Sequence, residues 1–479
     1  MRNISYSVSG LTVKRSYRRF IVGLIVSTVS ALALTSCGVY KKYESQTEVP
    51  DNVYGQLPED SPAQMLRAEQ MSWREFFTDP YLQRLIDDAL AHNTDLQSAR
   101  IAVEQAQASL KAAKLAWLPS LSLNPQAGVS GTVSSTGTVS GASYTYNIPL
   151  QLDWNVGISN SVTVNKRRAN AVLGQAEASR EATQANIISA VAQLYYQLLL
   201  LDRQMDILRA TDSLWDESLE TQRALWENGR SYSTAVNQME SSNLSIKMQI
   251  LDTERSIRSI ENAICQLLLI TPQTIARGSW ESTPDLPVTN YQVPATALLN
   301  RPDVRLADHL LEEAFYNTAA AKAAFFPSFS LSGLLGWTNN GGIIADPGAL
   351  LMQAAASLMQ PIFQQGKLRA SLKIAQLNQE DQLNNYVQTV INAGNQVNEC
   401  LADCKTAQEK DVLYKRQVAV LQDAYTGTHE LMDNGKASYL EVLTAQESLL
   451  SAQLNEATNL YNGSQALIGL YIALGGATK

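Results

Sequence analysis

The sequence contains an internal duplication, and this feature limits the possible folds more than any other. None of its 15 prolines lies in 150–271 or 362–479, two segments whose lengths of 122 and 118 residues are nearly equal. The segment 113–123 (AKLAWLPSLSL) also recurs 208 positions later as 321–331 (AKAAFFPSFSL). We therefore predict that one chain holds two copies of a single structural unit.

Each copy has the pattern of a helix, two strands, a very long helix, an Asn-Gly turn and a final helix. In the first long helix the spacing of apolar residues alternates between four and three, which is typical of a left-handed coiled coil. This predicted seam consists of Ile187, Val191, Leu194, Leu198, Leu201, Met205 and Leu208. The predicted helices span about 81–118, 166–228 and 233–270 in the first copy, and about 303–326, 367–433 and 438–474 in the second.

The segment 144–158 alternates between apolar and polar residues. Every even position is apolar and most odd positions are polar, with Pro149 as an exception. Such alternation places one face of a strand against an apolar medium and the other in water. The length exceeds the roughly 5–6 residues usual for a soluble strand and suits a strand that crosses a bilayer at a tilt. We therefore predict two membrane strands in 120–159 and, with weaker alternation, two in 328–363.

Four membrane strands cannot close a barrel within one chain. Lipid leaves the edges of an open sheet without hydrogen-bond partners, and about eight strands are the practical minimum for closure. Two or more chains must therefore share a barrel, and three copies would supply 3 × 4 = 12 strands.

Residues 1–36 have the layout of a secretory signal peptide. They carry five basic residues and no acidic one, and an apolar run follows at 20–34. The tetrapeptide 34–37 (LTSC) resembles a bacterial lipobox, which implies cleavage before Cys37, diacylation of its thiol and anchoring in a membrane. The alternative is an uncleaved anchor helix.

The composition argues against several other classes of protein. A formal net charge of -8 does not favour a nucleic-acid partner, which would require a basic patch. Three histidines and scattered cysteines leave little material for a metal site, and no residues form a recognisable catalytic pattern. We predict no enzyme activity, no cofactor and no metal. Cys265, Cys400 and Cys404 are interpreted as packing thiols, since four-residue spacing on a helix does not suit a disulfide.

Further motifs resemble the outer membrane efflux protein family, the TolC-like exit ducts, in its lipoprotein branch that serves multidrug pumps. They are the segment 73–80 (WREFFTDP), both Pro-Ser repeats, the segment 360–363 (QPIF), both Asn-Gly turns and the segment 473–476 (ALGG). The resemblance implies a mainly α protein with membrane β: a homotrimeric 12-stranded β-barrel continuous with a long periplasmic coiled-coil α-barrel. The segment 155–160 (NVGISN) departs from the branch, which usually has an acidic-aromatic-Gly-Arg turn there.

The same resemblance implies the function. The chain would be the outer-membrane channel of a tripartite efflux system, lipid-anchored at Cys37, that passively conducts drugs or other small molecules. Its partners would be a periplasmic adaptor protein and an inner-membrane pump of the RND type. Two alternatives remain open: an outer-membrane duct for type I protein secretion, and a structural coiled-coil lipoprotein.

We predict five segments along the chain. They are a signal peptide (1–36), an N-terminal anchor or extended segment (37–80), the first repeat (81–271), an inter-repeat linker (272–302) and the second repeat (303–479).

The two Asn-Gly turns are the candidate functional sites. The resemblance implies that they dock the adaptor and that a gate lies beside the second turn, where a ring of acidic residues would hold cations. The docking residues are Asn228, Gly229, Arg230 and Ser231 in the first turn, and Asn434, Gly435, Ala437 and Ser438 in the second. The gate residues are Glu441, Thr444, Tyr439 and Lys436. Ordinary helix termination by glycine, and a capping box formed by Ser438 and Glu441, would explain part of this pattern without any channel.

Overall fold

The computed structural model describes residues 41–45, 64–65, 72–133, 135, 137, 139–156, 160–280, 291–292, 295–339 and 349–476. In chain order the elements are β1 (Gln64–Met65), α1 (Trp73–Phe76), α2 (Pro80–His92), α3 (Thr94–Leu115), β2 (Ser120–Leu123), β3 (Gln126–Val133), β4 (Val139–Val156), α4 (Ser161–Glu227), α5 (Ser233–Leu268), β5 (Tyr291–Gln292), α6 (Pro302–Ala323), β6 (Ser328–Thr338), β7 (Ala349–Met359), α7 (Lys367–Asp433) and α8 (Tyr439–Ala473). None of the helices described combines the length and the hydropathy of a membrane-spanning helix.

The chain folds into two compact units. The strand unit takes the described residues within Met1–Ser45, Ala106–Leu173 and His309–Leu383, and it contains the large sheet. The helical unit takes those within Gln46–Gln105, Gly174–Asp308 and Asn384–Lys479.

The long helices follow the predicted pattern closely. Helices α4 and α7 contain 67 residues each, and the helices that follow them, α5 and α8, contain 36 and 35. The predicted seam of α4 is confirmed, because five of its seven residues are buried and Leu194 and Leu201 are half-buried. The buried surface is wider than a coiled-coil seam, since it also includes neighbouring residues such as Tyr195 and Tyr196.

The first predicted helix, 81–118, is wrong as a single helix. It is broken at Asn93, which ends α2 with an extended backbone and precedes α3. The Asn93 side-chain oxygen accepts hydrogen bonds from the backbone N–H groups of Asp95 (2.9 Å) and Leu96 (3.2 Å). Its amide group donates to the carbonyl oxygen of Leu267 at 3.2 Å. Asn93 therefore caps α3 and ties the break to α5, an arrangement that apolar periodicity alone does not indicate.

The strand unit contains one antiparallel sheet, ordered β2/β3–β4–β6–β7. The strand predicted before β4 is divided into β2 and β3, which pair with different parts of β4. Opposite this division lies Pro149 of β4, and Pro125 lies within the division itself. The backbone N–H of Asn124 still donates to the carbonyl of Pro149 at 3.3 Å, but neither proline has a backbone N–H of its own, so the regular ladder is interrupted here. The segment 155–160 is described only in part, and Asn160 begins the turn into α4 with a positive φ of 55°.

A partly buried ionic network stabilises the helical unit. The guanidinium group of Arg277 donates to both carboxylate oxygens of Asp202 (2.5 and 2.9 Å) and to Glu261 (2.7 Å). These hydrogen bonds to carboxylates raise the pKa of Arg277 further above its ordinary value. Nearby, the hydroxyl of Tyr195 donates to the buried carboxylate of Asp79 at 2.5 Å. Burial and this acidic neighbour raise the pKa of Tyr195.

Candidate functional site

The first Asn-Gly turn ends α4 with a Schellman motif. Gly229 has a φ of +70°, and its N–H donates to the carbonyl of Trp226 at 2.9 Å. The N–H of Arg230 donates to the carbonyl of Leu225 at 2.8 Å. These two bonds satisfy carbonyl groups that would otherwise be left unpaired at the end of the helix.

The second turn repeats this geometry at the end of α7. Gly435 has the same φ of +70° and donates to Met432 at 2.9 Å, while Lys436 donates to Leu431 at 2.8 Å. The N–H of Ala437 also reaches the carbonyl of Leu431, at 3.3 Å. The duplication therefore extends to the individual backbone hydrogen bonds.

The two asparagines have the same local role. The amide of Asn228 donates to the carbonyl of Ala224, and that of Asn434 donates to the carbonyl of Glu430, each at 2.7 Å. Both side chains close the last helical turn, so the structure gives each a capping function.

The turns differ in how the next helix begins. The amide of Gln222 donates to the Ser231 hydroxyl, and α5 starts after Tyr232, whose side chain makes no capping bond. In the second turn the Glu441 carboxylate accepts from the backbone N–H of Ser438 at 2.6 Å and from its hydroxyl at 3.1 Å. Glu441 thus takes part in the capping box of α8.

The structure divides the four predicted gate residues into exposed and packed ones. Lys436 and Thr444 are exposed, and the Thr444 hydroxyl donates to the carbonyl of Leu440 at 2.8 Å.

Tyr439 is half-buried and packs against two clusters of the helical unit. The first comprises Leu208, Trp215, Ile246, Leu443 and Leu450, and the second comprises Leu219, Val236 and Met239. Burial raises the pKa of Tyr439 to about 12. No described group accepts a hydrogen bond from its hydroxyl. The Tyr439 ring therefore belongs to the packing between helices.

Polar contacts between helices near the turns were not predicted. Lys247 of α5 contacts Asp216 at 2.8 Å and Asp212 at 3.3 Å, both on α4. The Ser242 hydroxyl of α5 contacts Glu447 of α8 at 3.3 Å. The hydrogen bond from Lys247 lowers the pKa of Asp216. Charged residues beside the apolar seam indicate that ion pairs between helices are possible, but they do not indicate which helices pair.

The three cysteines in the described part of the chain are free thiols. Burial raises the pKa of Cys400 to about 11 and that of Cys404 to about 12. Among the described residues, no group of three or more His, Cys, Asp or Glu side chains could hold a metal ion. The predicted lipid-attachment residue, Cys37, lies outside the described residues.

One face of the sheet is apolar across all strands. Residues paired in register share a face, so this face combines Leu121, Leu123, Ala127 and Val129 of β2 and β3, Tyr144, Tyr146, Ile148, Leu150, Leu152, Trp154 and Val156 of β4, Phe329, Leu331, Leu335 and Trp337 of β6, and Leu350, Met352, Ala354, Ala356 and Leu358 of β7. It is an exposed face, as Val129 and Met352 are 70% and 81% exposed. The opposite face carries mainly Ser, Thr, Asn and Gln, together with Asp153. Its apolar exceptions are Pro149, Leu334, Ala349, Leu351, Ala355 and Met359. The alternation seen in 144–158 therefore extends over the whole sheet.

Comparisons with known proteins agree with this architecture. The family model described as outer membrane efflux protein matches residues 85–268 and 293–476. Both the starts and the ends of these two matches are 208 residues apart, which is the offset of the sequence repeat.

Curated relatives cover nearly the whole chain. The cation efflux system protein CusC of Escherichia coli is 28% identical over 459 residues, which are 93% of this chain and 97% of that protein. The probable outer membrane lipoprotein SilC of Salmonella typhimurium is 28% identical over 417 residues, 85% of this chain and 88% of that protein.

A solved structure shares the fold. The open state of the Neisseria gonorrhoeae MtrE outer membrane channel has a TM-score of 0.80 and 26% identity, and the match covers 92% of this chain and 98% of that one. The two matched repeats, together 77% of the sequence (368 of 479 residues), show that the chain belongs to the outer membrane efflux protein family.

Proposed function

We propose that this protein is the outer-membrane exit duct of a tripartite efflux system. It passively conducts drugs or other small molecules out of the cell as a homotrimer. Energy and substrate choice belong to a periplasmic adaptor protein and an inner-membrane pump of the RND type. The alternative of a protein-secretion duct is less favoured, because CusC is named as a component of an efflux system.

The observation that carries this proposal is the exposed apolar face of the sheet. A face of this kind is stable in a lipid bilayer, whereas in water it would promote aggregation. The sheet has open edges at β7 and at β2/β3. Lipid cannot satisfy the backbone groups of such edges, so β7 of one copy pairs with β2/β3 of the next. Three copies close a barrel of 3 × 4 = 12 strands.

Two adjacent residues of β4 provide a matched test. Leu150 lies on the apolar face and Gln151 on the polar face. Arginine on a lipid-facing position costs about 2–4 kcal/mol at the centre of the bilayer, while a lumen-facing position tolerates charge. We expect Leu150→Arg to reduce trimer assembly in the outer membrane strongly and Gln151→Arg to leave it near wild type. Planar-bilayer recording of the purified trimer should show small, stable conductance steps.

The outcomes of this test are separable. Equal assembly of the two arginine variants would contradict the lipid-facing assignment. Assembled trimers without any conductance would favour the alternative function, that of a structural coiled-coil lipoprotein.

The lipid anchor is a separate part of the proposal. The described residues that follow it, 41–45, include Tyr43, whose backbone N–H lies 3.3 Å from the hydroxyl of Tyr316 on α6. Its ring also contacts Phe315, with a centroid distance of 5.7 Å. We expect Cys37→Ser to abolish labelling by radioactive palmitate while trimers still form in part. Unchanged labelling would place the lipid on another residue.

The two turns are proposed as the adaptor-docking surface. Arg230 and Lys436 occupy equivalent positions in the turns, and both side chains are exposed. We expect Arg230→Glu with Lys436→Glu to reduce copurification of the crosslinked adaptor several-fold without affecting trimer assembly. Arg74→Glu, on α1, is the control because it changes an exposed arginine away from the turns. Equal loss in the control would contradict the docking assignment.

A further inference from the structure

A single charged residue lies within the large sheet. Among the described residues of β2, β3, β4, β6 and β7, Asp153 is the only Asp, Glu, Lys, Arg or His. A charged side chain in a membrane strand is tolerated where it faces water, and such residues commonly mark ion pathways.

The register places Asp153 on the polar face. Its neighbours along β4, Leu152 and Trp154, belong to the apolar face. Across the sheet Asp153 pairs with Ser120 of β2 and Ser332 of β6. Its carboxylate is therefore directed away from lipid and towards the polar lumen of the proposed barrel.

Nothing in the described part of the sheet neutralises this charge. Asp153 is exposed, and no described side chain forms an ion pair with it. Its partners in register are small, and the next residue across the sheet from Ser332 is Ala355. The carboxylate is thus open to mobile ions.

Asp153 also lies near the end of β4 that leads into α4. The strand ends at Val156, three residues later. At the same level the indole N–H of Trp154 donates to the carbonyl of Trp117 at 3.0 Å. Tryptophan is enriched at membrane–water interfaces, so this pair marks one boundary of the apolar face.

We propose that Asp153 determines the charge preference of the channel within its strand region. This inference rests on the proposed trimeric channel, in which three copies of Asp153 form a ring of carboxylates, while the other described side chains of the strands are neutral. Such rings concentrate cations and repel anions. The solutes that pass most easily are therefore cations and molecules with a protonated amine, while anionic molecules of the same size are slowed.

The test is the reversal potential of the trimer in planar bilayers under a potassium chloride gradient. Asp153→Asn removes the charge with little change of shape. We expect the ratio of potassium to chloride permeability to fall about twofold or more at about 0.1 M salt, and the difference to shrink near 1 M, where charges are screened. Asp153→Asn combined with Asn155→Asp moves the carboxylate along the same face and should restore the preference.

The outcomes separate this inference from the proposed function. An Asp153→Asn trimer with the wild-type reversal potential overturns the role of Asp153, as does a double variant that fails to restore the preference. A wild-type trimer without conductance instead overturns the channel itself. If Asp153→Asn does not assemble, Asp153→Ser introduces the residue found at both partner positions and gives the same comparison.

Discussion

The carboxylate of Glu441 accepts a hydrogen bond of 2.6 Å from the backbone N–H of Ser438. This contact holds Glu441 at the first turn of α8, where an acidic side chain also interacts favourably with the positive end of the helix dipole. A gate function of Glu441 would therefore have to operate from a side chain that is already engaged in capping.

Substitutions at Glu441 can separate capping from gating. Glu441→Gln keeps an oxygen that can accept from Ser438 but removes the charge, whereas Glu441→Ala removes both. We expect both variants to raise planar-bilayer conductance, because both abolish the proposed acidic ring. Only Glu441→Ala should also destabilise the protein, by about 0.5–2 kcal/mol, in urea denaturation.

A matched control exists in the same chain. Ser72 and Glu75 form the same capping box at α1, with the Ser72 N–H at 2.7 Å from the carboxylate. Glu75→Gln should leave conductance at its wild-type value. If Glu441→Gln also left conductance unchanged, Glu441 would be a capping residue alone.

The two turn glycines should contribute equally to stability. Gly229 and Gly435 share a φ of +70°, and a Cβ atom at either position would meet no other atom within 4 Å. The cost of alanine is therefore backbone strain alone, about 1 kcal/mol at each site. We expect Gly229→Ala and Gly435→Ala to lower the free energy of unfolding by similar amounts in urea denaturation.

Alanine in place of Gly427 should have the opposite effect on stability. This glycine lies within α7, and a Cβ atom there would also meet nothing within 4 Å. Gly427→Ala should stabilise the protein by about 0.5–1 kcal/mol, because alanine is the better helix former. Destabilisation by Gly427→Ala would mean that this position is covered in the assembled trimer.

The features that the sequence predicted correctly are those with a repeating period. The seam from Ile187 to Leu208 and the alternation in 144–158 each follow from a regular spacing that burial or lipid contact imposes on many residues at once. The alternation in β7 is too weak to identify its apolar face from the sequence alone. The register identifies that face, because it places Leu350 opposite Trp337.

The features that the sequence did not predict depend on single residues. The break at Asn93 relies on one amide that bonds to α3 and to the carbonyl of Leu267, a partner 174 positions away. The network of Arg277 joins Asp202 and Glu261 from two different helices. No local sequence pattern predicts such contacts, because the paired residues meet only once the chain has folded.

The Arg277 network should be among the most sensitive positions for stability. Arg277→Leu would leave the buried carboxylate of Glu261 without its charged partner, a change that costs about 3–5 kcal/mol. Arg277→Lys keeps the charge but cannot bind Asp202 through two parallel hydrogen bonds, so we expect an intermediate loss. Urea denaturation of the purified protein measures both.

An exposed arginine gives the control for this prediction. Arg209 contacts Glu254 at 3.3 Å, and both side chains are largely exposed. Arg209→Leu should cost less than about 1 kcal/mol. Equal effects of Arg209→Leu and Arg277→Leu would show that the Arg277 network is solvated in the assembled protein.

The thiols of Cys400 and Cys404 should react slowly at neutral pH. Their pKa values are about 11 and 12. At pH 8 the fraction of each thiol present as thiolate is therefore lower than in an ordinary cysteine by on the order of a hundredfold or more. We expect alkylation of the folded protein by iodoacetamide, followed by mass spectrometry of each site, to be slow at pH 8 and to rise about tenfold per pH unit up to about pH 11. Because folding raises both pKa values, the stability that the protonated thiols contribute should also be lost as the pH rises through this range. Protein unfolded in urea is the control and should react at the ordinary rate. Rapid alkylation of the folded protein at pH 8 would show that the two thiols are more exposed to water than they are in the structure.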